Sequence, residues 1–99
     1  MDLLPIERFA SAANQTFDLS IGEASMPLTL VDVKPLPAYT RNAPGLMRQP
    51  FSLIFRSVSQ VVLPQRIYWM NNTTMGKLGI FIVPVGRDGA GVTYQAVFN

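Results

Sequence analysis

LGIFIVPVGRDGAGVTYQAVF, residues 78–98, decides how the rest of the chain folds. Its final part alternates Val92, Tyr94, Ala96 and Phe98 with Thr93, Gln95 and Val97. Branched and aromatic residues at a period of two fit a half-buried β-strand, because successive side chains point to opposite faces. The run 78–85 is apolar on both faces, which predicts a central strand covered on both sides, with a helix as one cover. Between the two lies GRDGAG, residues 86–91, a glycine-rich turn. A hairpin is therefore expected at this end of the chain.

The same signature recurs towards the N-terminus. Phe17, Leu19 and Ile21 alternate with Asp18 and Ser20 up to Gly22, and residues 26–34 form the partner strand after a Gly-Glu-Ala-Ser turn. Phe51, Leu53 and Phe55 alternate with Ser52, Ile54 and Arg56. Residues 61–64 lead through a Pro-Gln turn into a strand over 66–71, followed by the turn cluster NNTTMG. Ahead of all strands, Leu3, Ile6, Phe9, Ala10 and Ala13 recur at helical spacing, with Pro5 tolerable only in a first turn. This predicts one helix over about residues 3–13, closed by Asn14. The expected fold is mainly β: a six-stranded antiparallel meander forming a small barrel or curved sheet, with one N-terminal helix, in a single domain over residues 1–99. Closure would dispose of exposed sheet edges.

Residues 34–50, KPLPAYTRNAPGLMRQP, break the pattern with four prolines and no periodicity. Proline removes ladder donors and biases the preceding residue to extended geometry, so 35–50 is expected to be a long loop or arm. Loops of this length tend to carry function. This one offers Tyr39, Leu46 and Met47 together with Arg41 and Arg48, a docking composition, and these residues are the first interaction candidates. The second set comes from the strand RIYWMN. If Trp69 shares a core face with Ile67, then Tyr68 and Met70 point outward, where Tyr and Met suit an interface.

Composition narrows the function. The 99 residues contain no Cys and no His, which removes disulfides, thiol nucleophiles and zinc chemistry. General acid–base catalysis lacks its commonest agent, and no carboxylate pair or Ser–Lys motif replaces it, so no enzyme activity and no catalytic residues are expected. Clustered acids for calcium are missing too, and GRDGAG lies between two strands without the helix that a phosphate loop requires. No metal and no cofactor is expected. The sequon-like Asn14-Gln15-Thr16 and Asn71-Asn72-Thr73 read as turn chemistry, because no signal peptide precedes them. Without a run of about 18 apolar residues, no membrane helix is expected, and the chain is expected to remain cytoplasmic as synthesised unless carried into an extracellular or particle assembly.

Charged residues make up only 14% of the chain, against 48% apolar ones. Ordinary domains carry about 25% charged residues, so a surface partly covered by other subunits is expected. Charge is also lopsided. Asp2, Glu7, Asp18, Glu23 and Asp32 fall within residues 1–32, and residues 33–87 hold seven bases and no acid. If that separation is also spatial, it suits head-to-tail assembly or an anionic partner.

The segments LTLVDVKPLP, PFSLIFRS, LPQRIYWM and MGKLGIFIVPVGRDGAGVTYQAVFN, with ERFASAANQTF before them, resemble a family of small uncharacterised bacterial domains. The likeness rests on Pro50, Phe51, Phe55, Leu63, Pro64, Tyr68, Gly76, Pro84, Gly86, Tyr94 and Phe98, and Ser57 and Arg66 stand where that pattern has glycines. The resemblance carries no established activity. It implies an association with phage tail-collar-like proteins, hence a role in a fibre, appendage or tail-like particle. The functional expectation is accordingly a non-enzymatic structural or assembly subunit that self-associates or docks on such a protein. A small nucleic-acid-binding barrel and a chaperone or adaptor for a fibre protein are the alternatives.

Overall fold

The computed structural model describes residues 6–36 and 50–98. A short helix α1 (Ile6–Ala10) precedes six strands: β1 (Thr16–Ile21), β2 (Ala24–Pro35), β3 (Phe51–Ser57), β4 (Arg66–Asn72), β5 (Gly76–Asp88) and β6 (Gly91–Phe98). All pairings are antiparallel, and the strands close into a barrel in the order β1-β2-β3-β6-β5-β4. The strands, the barrel and an N-terminal helix are as expected, although the helix ends at Ala10 and not at about residue 13, with turn residues leading on to Asn14. The strand order departs from consecutive pairing at one connection: β3 takes β6 as its second neighbour, and residues 58–65 carry the chain across to β4 on the opposite side.

The barrel therefore consists of two three-stranded meanders of the same plan, β1-β2-β3 and β4-β5-β6. In each, a long middle strand serves both neighbours and bends at a bulge. The first part of β2 pairs with β1 and the rest with β3, with the register shifting between Leu30 and Asp32. The first part of β5 pairs with β4 and the rest with β6, shifting between Pro84 and Gly86. A bulge adds one residue and sharpens the twist, which is how a sheet turns a corner. The first bulge also corrects a phase. Without the extra residue Val31, Asp32 would face the interior; with it, Val33 packs against the core and Asp32 faces out.

Inward positions follow the period of two: Phe17 and Leu19, Leu28 and Leu30, Phe51, Leu53 and Phe55, Ile80 and Ile82, Val92, Tyr94 and Ala96 are all buried. Each end of this core has its own plug. At one end Phe9 of α1 is fully buried against Phe51 and Phe98, whose rings stack at 4.8 Å. Beyond α1, Asn14 adopts φ 67°, the left-handed turn residue expected there, and its N–H donates to Leu30 O at 2.6 Å. The helix covers the mouth of the barrel and leaves the outside of β5 uncovered, so the expectation of a strand covered on both sides fails: Phe81 is 50% and Val85 53% exposed.

At the other end the crossing segment 58–65 lies over the barrel with Leu63 buried beneath it. Two tyrosine hydroxyls pin it from below. Leu63 N–H donates to Tyr94 Oη at 3.0 Å, and Tyr68 Oη donates to Pro64 O at 2.7 Å. The turn expected over 86–91 narrows to Gly89 and Ala90, because β5 runs on to Asp88. Among the described residues, no helix is long and apolar enough to cross a membrane.

Candidate docking site at an incomplete seam

The two meanders meet along two seams. Between β3 and β6 the register runs unbroken over seven pairs, from Phe51↔Phe98 to Ser57↔Val92. Between β1 and β4 it consists of Asp18↔Asn71 and Leu19↔Met70 alone. Each end of this short ladder is finished differently.

Towards the helix end, the seam is closed by a side chain. Asn72 is buried, and its amide group donates to Thr16 O at 2.9 Å and to Gln15 Oε1 at 3.2 Å. Its Oδ1 accepts the N–H groups of Thr74 and Met75, both at 2.9 Å. One carboxamide thus satisfies β1 and the β4–β5 turn together, which makes its burial affordable.

Towards the other end, no ladder pair among the described residues closes it. The pairing stops at Leu19, and a groove of about 230 Å³ opens between Ser20, Ile21 and Gly22 on one bank and Arg66, Ile67, Tyr68 and Trp69 on the other. Gly22 turns the chain away at φ 60°. The bank on β4 continues into an apolar outer surface, since Ile67 is 65% and Trp69 57% exposed, with Phe81 directly opposite Ile67 on β5. Trp69 lies opposite Gly79, with the indole over the glycine: a Cβ there would sit in ordinary contact, 3.5 Å from the ring. Lys77 Nζ stands 5.4 Å from the indole centroid, and the Arg66 guanidinium 5.7 Å from the Tyr68 ring. The seam also divides charge, with Asp18 on β1 and Glu23 in its following turn, and Arg66 and Lys77 on β4 and β5. Elsewhere Arg56 and Asp88 pair at 3.1 Å across the outside of β3, β6 and β5.

This arrangement corrects the reading of the fourth strand. Tyr68 and Met70 face the core and are buried, while Ile67 and Trp69 point outward, the reverse of the expected phase. Burial pushes the Tyr68 phenol above its ordinary pKa, partly offset by the nearby Arg66 charge, so it stays the neutral donor that Pro64 O requires. Tyr39, Arg41, Leu46, Met47 and Arg48 lie outside the described residues. The exposed aromatic of this strand is therefore Trp69.

Residues 4–98 match the model of a family described as a domain of unknown function, DUF6916, which covers nearly the whole chain. No curated protein and no solved structure matches the chain.

Proposed function

The chain belongs to the DUF6916 family, and on that footing we propose that it is a non-enzymatic assembly subunit that docks on protein through the outer face of β4 and β5. The observation that carries this reading is the exposure of Ile67, Trp69 and Phe81 side by side next to an incomplete seam. Contiguous apolar surface on a small protein marks an interaction site, and Trp is the residue most enriched where binding energy concentrates. Low charge overall supports the same reading. A fibre, appendage or tail-like particle is the assembly it fits, with a second copy or a tail-collar-like protein as the partner, and the subunit joins it after synthesis in the cytoplasm.

Absolute mass in solution tests the self-associating form. Light scattering over a concentration series at low and high salt is expected to show a mass above the 10.9 kDa monomer. The double substitution Trp69→Ser/Phe81→Ser is expected to return it to the monomer. A monomer under all conditions removes self-association and leaves docking on a foreign protein, to be sought by co-purification with the products of neighbouring genes. That experiment also separates a particle subunit from a fibre chaperone or adaptor.

One observation favours a second reading. Trp69 with Lys77 beside it, on the outside of a small barrel, has the makings of a platform on which bases stack within reach of a positive charge. Titration with single-stranded DNA and RNA at two salt concentrations decides it; absent or salt-independent binding sinks the nucleic-acid reading.

A further inference from the structure

We propose that the gap between β1 and β4 receives one extended segment of a partner protein, which pairs as a strand with the edges left without ladder partners at residues 20–21 and 66–69. The inference rests on the docking reading and names its chemistry. Continuing the observed register past Leu19↔Met70 would pair Ser20 with Trp69, Ile21 with Tyr68 and Gly22 with Ile67. Those residues instead stand apart and line the groove. On its other side β1 is paired throughout with β2, and β4 with β5, so each strand presents a single edge to the gap.

A bare strand edge offers N–H donors and C=O acceptors in alternation, at about 3.3 Å per residue. The ligand that matches such a row is another peptide backbone, with specificity added by the side chains that flank it. A folded second copy cannot enter, because the gap lies between two strands of one barrel, and a single extended segment can. Its outward side chains would lie against Ile67 and Trp69 and are apolar. A carboxylate suits the end beside Arg66, which forms no ion pair among the described residues and whose guanidinium lies only over Tyr68.

The test uses the full chain and a displayed library of random heptapeptides, from which the tightest binder is synthesised. Binding is measured by fluorescence anisotropy and located by backbone amide shifts. Amides of residues 20–22 and 66–69 are expected to shift and to exchange more slowly. N-methylation at any residue of the peptide's paired stretch is expected to weaken binding by about tenfold or more, because one alternate set of its N–H groups faces β1 and the other β4, and methylation outside that stretch to change little. Arg66→Glu is expected to weaken acidic peptides selectively. Peptides that bind without sensitivity to N-methylation and shift only the outer-face amides around Phe81 overturn the strand inference while the docking reading stands. No peptide binding overturns the strand inference, and a monomer with which no protein co-purifies overturns the docking reading as well. Single-stranded DNA shifting the seam amides more strongly than any peptide also overturns the inference.

Discussion

The β3–β6 seam and the β1–β4 seam join the same two meanders through equivalent strands, yet one has seven backbone pairs and the other two. The first is a continuous ladder whose outer face carries Arg56 bonded to Asp88 and Thr93. The second is finished by an asparagine side chain at one end and left open at the other. A barrel needs only one strong seam to hold its halves together, provided both ends of the core are plugged. The other seam is then released from a purely structural role.

The largest effect is expected from breaking the strong seam. Gly91 opens β6 at φ 140°, and a Cβ there would fall 1.7 Å from Ser57 O. Gly91→Ala combines a conformation foreign to side chains with a clash against backbone, so a loss of about 4 kcal/mol or more is expected in chemical denaturation. A loss below about 1 kcal/mol would show that the end of this seam yields readily.

Asn72→Ala breaks the closed half of the weak seam. It strands the buried Met75 N–H and leaves Thr16 O unpaired. A loss of about 2–4 kcal/mol is expected, with faster amide exchange along Asp18 and Leu19. The neighbouring Asn71→Ala, on the exposed face, is expected to stay within about 0.5 kcal/mol. Equal effects at the two positions would dissolve the distinction between closed and open halves.

Tyr94→Phe removes the hydroxyl that holds the crossing segment through Leu63 N–H. The expected cost is about 1–2 kcal/mol, read from the midpoint of unfolding, with enhanced exchange confined to residues 58–65.

The smallest effect belongs to the ion pair on the strong seam. The hydrogen bond from Arg56 first, and then the Ala90 N–H, hold the Asp88 carboxyl below its ordinary pKa. A carboxyl held low in the folded state contributes its stability in full above the unfolded value, about 3.9. That contribution fades as pH falls through the lower folded value. Urea midpoints of the parent and Asp88→Asn are therefore expected to differ slightly near neutrality and to converge in acid. Salt is expected to shrink the difference, because Asp88 is exposed to solvent and Arg56 partly so.

Strand positions were legible because a half-buried strand writes its burial into alternate residues. The phase of β4 was not. Ile67, Tyr68, Trp69 and Met70 are all apolar, and the two asparagines that follow fall one on each face, so neither of the two phases is marked by a polar residue. What selects between them is Asn72, whose four hydrogen bonds require it to face inward and so take Met70 and Tyr68 in with it. Those partners come from residues 15, 16, 74 and 75, and only the fold brings the first two within reach. The strand order escaped for a related reason, since the pairing of β3 with β6 joins segments about 40 residues apart and leaves no local trace. The bulges were legible in retrospect: Leu28 and Leu30 put Asp32 on the buried phase, and a charge at an inward position signals that the register has slipped.

The crossing segment 58–65 also sets an order in time. Within each meander strands pair with their neighbours in sequence, across short turns except for β2 and β3, which are joined through residues 36–50, whereas both seams wait until the crossing has laid one half over the other. The seven-pair seam supplies enough contacts to commit the two halves to each other. The two-pair seam is then the last to shut during folding and the first to breathe afterwards. A partner that enters there need unfold nothing: it arrives where, among the described residues, the barrel's ladder is left incomplete.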